Sequence, residues 1–109
     1  MSFSVITTPD FLRELKPLAK KYPSLKKELL ELSESLSQNP KQGESLGFDA
    51  YKIRISIKSK GKGKSGGGRI ITNVVVEETR VFLISIYDKS SQASISKAEI
   101  KIRIKALNQ

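Results

Sequence analysis

Apolar residues recur at helical spacing up to Asn39-Pro40 and at alternate positions from Tyr51 onward, so the chain divides into a helical part and a sheet part. Residues 3–7 suit a short leading strand. Thr8-Pro9-Asp10 then supplies a helix start: a hydroxyl able to cap free backbone N–H groups, a proline at the first helical position, and an acid in the first turn. Phe11, Leu15, Leu18 and Tyr22 follow on one helical face, with Pro17 inside the pattern, where its ring is expected to kink or interrupt the helix. After Pro23-Ser24, Leu25, Leu29, Leu32 and Leu36 form a second stripe, while Lys26, Lys27, Glu31 and Glu34 occupy other faces. These leucines are best explained as the buried side of a helical hairpin lying on a sheet.

Residues 41–50, with Gly43 and Gly47, look like a loop. Residues 51–58 alternate strictly, which predicts one strand with Tyr51, Ile53, Ile55 and Ile57 facing a core and Lys52, Arg54 and Lys58 together on the wet face. A loop rich in Gly and Lys fills 59–68. Two β-branched runs follow, 69–76 and 80–87, separated by the tight turn Glu77-Glu78-Thr79. Three consecutive strands imply an antiparallel meander. The tail fits both periods: Ile100, Ile102 and Ile104 alternate, whereas Ile100, Ile104 and Leu107 share a helical face. Ser96 and Glu99 stand at capping-box spacing and favour the helix. The expected fold is therefore α+β: a small antiparallel sheet, made of a three-strand meander plus the N-terminal strand, with two N-terminal helices packed on it and a short C-terminal helix. At 109 residues it is expected to be a single domain, 1–109.

Composition narrows the chemistry. Twenty Lys and Arg against eleven Asp and Glu give a formal charge of +9, which favours a polyanionic partner such as RNA, DNA or an acidic protein. Without Cys there is no disulfide, no thiolate catalysis and no Cys-ligated zinc, a composition that suits a reducing cytoplasm. Without His, imidazole acid–base chemistry and most metal sites are excluded. Neither a signal-peptide pattern nor a bilayer-length apolar run is visible, so no membrane association is expected.

Gly63-Lys64-Ser65 matches the end of the phosphate-loop pattern, but that pattern needs Gly at position 58, where this chain has Lys, and a helix after the loop, where a strand is expected. The stronger feature is residues 51–69 as a whole, which carry Lys52, Arg54, Lys58, Lys60, Lys62, Lys64 and Arg69 without one acid. An isolated basic run is usually a solvated loop. Here the alternation puts Lys52 and Arg54 on a rigid strand, and Gly66-Gly67-Gly68 allows close approach of backbone to a phosphate. Lys58, Lys60, Lys62 and Lys64 are the expected arm for binding a polyanion, RNA among the candidates. Tyr87, at the end of the last strand, could stack on a base or donate a proton; such a tyrosine is more often a core residue with a wet hydroxyl. Lys89 follows it closely enough to join the cationic cluster.

The element order, with Tyr51-Lys52-Ile53-Arg54 on the second strand and Gly68-Arg69-Ile70-Ile71 on the third, resembles the RelE/ParE toxin superfamily over nearly the whole chain. The hairpin Gly63-Lys64-Ser65-Gly66-Gly67-Gly68-Arg69 followed by Ile84-Ser85-Ile86-Tyr87-Asp88-Lys89 is most similar to its HigB-like branch. The resemblance implies the toxin of a type II toxin–antitoxin system, silenced by a co-expressed antitoxin, which is expected to be acidic because the surface it would cover is strongly cationic. It further implies a ribosome-dependent endoribonuclease that cuts mRNA without metal or other cofactor. In such enzymes the ribose 2′-hydroxyl attacks the adjacent phosphate while cations on the central sheet hold the backbone. The cationic positions of the family fall on Lys52, Arg54, Arg69 and Lys89. The family's catalytic tyrosine has no counterpart, since Ser94-Ile95-Ser96 occupies that stretch; either Tyr87 substitutes or a lysine of lowered pKa is the base. A ParE-like inhibitor of DNA gyrase and a non-catalytic RNA-binding module are the alternatives.

Overall fold

The computed structural model describes residues 2–61 and 66–107. Strand β1 (Ser4–Thr7) leads into helices α1 (Pro9–Lys21) and α2 (Leu25–Gln38); strands β2 (Glu44–Gly47), β3 (Ala50–Ile55), β4 (Gly68–Val75) and β5 (Arg80–Asp88) follow, and helix α3 (Lys97–Leu107) closes the described chain. The strands form one sheet in the order β1-β5-β4-β3-β2. None of the described helices is long and apolar enough to cross a membrane.

The α+β class matches expectation, and four details differ. The sheet has five strands, because residues placed in a loop form β2 and pair with β3. It is mixed, because β1 runs parallel to β5. Pro17 does not break α1, which continues through it to Lys21. The strand carrying the basic residues ends at Ile55, so Lys58 sits in a short 3-10 turn, Lys58–Lys60, and not on the strand's wet face. Ile57 is nonetheless buried, so the apolar half of the alternation outlasts the strand itself.

Thr8 caps α1: the Phe11 N–H donates to its Oγ1 at 3.3 Å, and that hydroxyl donates to the Leu83 carbonyl at 2.8 Å, fixing the helix start to β5. From there α1 and α2 cover one face, burying Phe11, Tyr22, Leu25 and Leu36 against Ile53, Ile55, Ile70, Val74, Val81, Leu83 and Ile86. On the other face α3 seals a smaller cluster of Ala50, Ile71, Ile84 and Ile100. Strand β4 is therefore covered on both sides, which is why Ile70-Ile71 breaks the alternation seen in β3.

One irregularity sets the geometry of everything below. Between Ile71 and Thr72 the register against β5 slips, from Ile71 opposite Ser85 to Thr72 opposite Leu83, so Ile84 is an extra residue. Because side chains alternate, this bulge lets Leu83 and Ile86 share the α1–α2 face and turns Tyr87 onto the opposite one. Beyond Leu83, where β1 stops, the β5 edge is satisfied by side chains. The Ile86 N–H and Ser85 hydroxyl donate to Glu14 Oε1 at 3.4 and 2.8 Å, and Arg103 Nη1 donates to the Ile84 carbonyl at 3.3 Å. Arg103 in turn forks onto Glu14 (2.9 and 3.0 Å) and bonds Glu99 at 2.9 Å. The Glu14 bond, with that of Glu99, holds the guanidinium pKa above its ordinary value despite burial.

Candidate functional site

Cross-strand register brings three side chains of distant sequence position into one row: Arg54 on β3 is opposite Arg69 on β4, and Arg69 is opposite Tyr87 on β5. Residues directly paired in this way share a sheet face at about 5 Å. Lys52 lies one step along that face, opposite Ile71. Arg54 is exposed, Lys52 is half-buried with its Nζ 4.0 Å from Glu44 Oε1, and Arg69 is buried with its Nη1 donating to the Gly68 carbonyl at 3.1 Å. A surface arginine thus stands beside one sunk in the sheet, where lower dielectric strengthens its field.

Tyr87 is only 4% exposed. Burial pushes its hydroxyl pKa up, with the Arg69 charge opposing, so the phenol keeps its proton and is unsuited to act as a base. The expectation that such a tyrosine is a core residue is met. Ile95 is half-buried against the α3 cluster. Lys89 donates its backbone N–H to the Gly67 carbonyl at 3.0 Å and its Nζ to the Ala93 carbonyl at 3.1 Å, so it buttresses the segment entering α3.

The predicted binding arm divides. Lys58 has an exposed residue surface, and its backbone N–H donates to Glu28 Oε2 at 2.7 Å. Lys60 does not belong to a solvated arm: its side chain is 9% exposed and ion-paired to Asp88, which is 3% exposed. Its Nζ also donates to the Gly66 carbonyl at 2.8 Å and Ser90 Oγ at 2.7 Å, while the Tyr22 hydroxyl donates to Asp88 Oδ2 at 2.8 Å. Burial pushes the Asp88 carboxyl up, but bonds from Lys60, Tyr22 and Ser90 outweigh it and hold the pKa well below the usual range. This cluster lies on the α1–α2 face and closes the base of the glycine-lysine loop. Lys62 and Lys64 lie outside the described residues.

Beside the row, a groove of about 600 Å³ runs along the outer edge of β3, lined by Lys52, Arg54 and Lys58 together with Glu28, Glu31 and Glu44. It stays open because β2 ends opposite Lys52. Gly43 makes that ending possible: its φ is +92°, and a Cβ there would stand 2.4 Å from the Lys52 carbonyl oxygen. The carboxylates were not anticipated. Glu44 falls in a stretch without periodicity, and only strand pairing reveals that it faces Lys52. Among the described residues no group of three or more carboxylates gathers as a metal site.

A family model described as the RelE toxin of the RelE/RelB toxin–antitoxin system matches residues 11–108. Among solved structures, a double arginine mutant of Escherichia coli toxin RelE in the free state superposes with a TM-score of 0.62 at 21% identity, covering 97% of this chain and 98% of that one. Isolated E. coli RelE gives 0.56 at 24% identity over 98% and 99% of the two chains. The RelBE2 toxin–antitoxin complex of Mycobacterium tuberculosis gives 0.57 at 17% identity over 81% and 99%. At these identities the structural likeness is one of fold, in agreement with the family match, and the chain belongs to the RelE toxin family of type II toxin–antitoxin systems.

Proposed function

We propose that the chain is a ribosome-dependent endoribonuclease acting on mRNA, kept silent by a cognate antitoxin. The observation that carries this reading is the pairing of Arg54 with Arg69, one step along the same face from Lys52. In cleavage by the 2′-hydroxyl, the 2′-oxygen gives its proton to a base as it bonds to phosphorus. The P–O5′ bond breaks and the 5′-oxygen takes a proton, leaving a cyclic phosphate and a free 5′-hydroxyl. Negative charge gathers on the non-bridging oxygens between these events. Guanidinium groups in fixed positions stabilise it, because their forked donors match two phosphate oxygens at once.

Arg54, open to solvent, and the half-buried Lys52 would seize and orient the backbone, and Arg69 would act from within the sheet. Tyr87, held protonated, is suited to donate a hydrogen bond to a phosphate or leaving oxygen. The 2′-proton falls to Lys52 or to the neighbouring Glu44 carboxylate, which Glu44→Gln separates. Lys58 and the following loop would contact RNA outside the cut. For the partner, E. coli RelE with an antitoxin peptide (TM-score 0.51, 24% identity, 95% of each chain) and the M. tuberculosis complex support an antitoxin. A cationic face suits an acidic segment of it.

Burial of Tyr87 and Ile95 also favours a second reading, a module that binds RNA without cutting it. Purified chain incubated with ribosomes programmed with mRNA decides between them. New 5′ ends within translated codons, abolished by Lys52→Ala/Arg54→Ala, are the expected result. Bound but intact message would leave the non-catalytic module, and intact message with altered DNA supercoiling would point to a gyrase inhibitor.

A further inference from the structure

The turn joining β2 to β3 holds Phe48 and Asp49 at φ of 42° and 59°, between the paired residues Gly47 and Ala50. A two-residue hairpin with both central residues left-handed normally takes Asn-Gly, and a bulky aromatic there is strained. Asp49 has a structural reason for its place: its carbonyl accepts the Val74 N–H at 2.9 Å and Asn73 Nδ2 at 3.2 Å. Phe48 has none of that kind. It belongs to neither hydrophobic cluster and is 36% exposed. What stands against its ring is Lys101 of α3, with Nζ 5.0 Å from the centroid.

Lys101 is the middle of a stripe. Lys97, Lys101 and Lys105 recur every four residues, which puts them on one side of α3 about 6 Å apart along its axis. All three are exposed, and among the described residues none has a carboxylate within ion-pair distance, while Glu99 is engaged by Arg103 on another side of the helix. The spacing is comparable to that of successive phosphates along a nucleic-acid strand.

We infer that Phe48 and the Lys97–Lys101–Lys105 stripe form a second RNA contact, in which Phe48 stacks on an unpaired base and the lysines hold flanking phosphates. A duplex hides its base faces and would leave the ring unused, and an acidic protein segment would use the lysines alone; single-stranded RNA uses both. Phe48 lies in the turn that precedes β3, and Arg54 is four residues past the start of that strand, about 13 Å at strand rise, so this contact would grip a part of the RNA away from the Arg54–Arg69 row. The inference rests on the RNA reading above and adds to it a separate place where the RNA is held.

The test is fluorescence anisotropy with a labelled decamer of 2′-O-methyluridine, which binds as RNA but has no free 2′-hydroxyl to attack. Phe48→Asn should weaken binding by about 5- to 100-fold, the range expected for one lost stacking contact. It should also leave the thermal midpoint unchanged or raised, since Asn accepts the left-handed backbone. Phe48→Trp should restore affinity, and Lys101→Gln/Lys105→Gln should lower the slope of log affinity against log salt by about 0.7 per lysine. Unchanged affinity in Phe48→Asn overturns the inference, as does a loss of affinity that tracks a lowered midpoint and is not restored by Trp. If the unmodified protein does not bind the decamer, the RNA reading falls together with this contact; if it binds and Phe48→Asn binds equally, only the contact falls.

Discussion

Arg54 and Lys60 lie in one basic run, yet the fold sends them to opposite faces of the sheet and gives them opposite work. Arg54 stands exposed beside Arg69 with its charge available to a ligand. Lys60 is folded inward onto Asp88, with Ser90 and Gly66 completing its partners and the Tyr22 hydroxyl bonded to the same carboxylate. The charge of one is offered outward, and the charge of the other is consumed in holding the loop closed. A count of cations therefore overstates what a partner would meet. What decides is the face on which each side chain emerges and whether a carboxylate is waiting there.

This contrast can be broken first at the ligand side. Lys52→Ala/Arg54→Ala should reduce mRNA cleavage by at least about 100-fold, the scale of losing one transition-state donor, while shifting stability by no more than about 0.5 kcal/mol. Cleavage mapping together with urea denaturation checks both halves. A destabilised double variant would mean that these cations hold the sheet together. On the other face, Lys60→Met should cost about 3–5 kcal/mol, because it strands the Asp88 charge inside the protein. Urea midpoints should show that loss, with much of it recovered in Lys60→Met/Asp88→Leu, and the folded fraction should retain RNA binding.

Arg103 offers a third, smaller probe of a charge consumed by structure. Arg103→Gln should destabilise by about 2 kcal/mol through lost charge-assisted bonds, and should speed amide hydrogen exchange at Ile86, where Glu14 loses its fixed position. The smallest effect is expected from pH. The folded pKa of Asp88 lies below its usual value of 3.8, so its contribution is complete above that value and drains away as pH falls toward the folded pKa. Wild-type urea midpoints should drop more steeply below about pH 4 than those of Asp88→Asn. Equal slopes would show that Asp88 gains nothing from Lys60.

Much of the fold was legible because its signals are local. The Thr8-Pro9-Asp10 start, the leucine stripe of α2 and the Ser96 cap of α3, where the Glu99 N–H donates to Ser96 Oγ at 3.1 Å, are all spelled within a few residues. Strand β2 escaped notice because four residues without apolar alternation, Glu44-Ser45-Leu46-Gly47, acquire strand character only from their pairing with β3. Of the site, Lys52 and Arg54 could be placed on one face by alternation alone. Glu44 could not, since its position depends on a neighbouring strand.

By itself, then, the sequence determined where the helices begin, which stripes of them are apolar, and that a large surplus of positive charge sits on the β3–β4 hairpin. Periodicity and propensity act over a few residues, and charge is additive. Only the tertiary structure decided how that charge is used. The bulge at Ile84 set the phase that puts Tyr87 beside Arg69 and Asp88 on the opposite face. Asp88 then captured Lys60 from 28 residues away, because a carboxylate buried against Tyr22 needs a cation and the loop could deliver one. Such outcomes rest on register and burial, which belong to the packed sheet and to no segment alone.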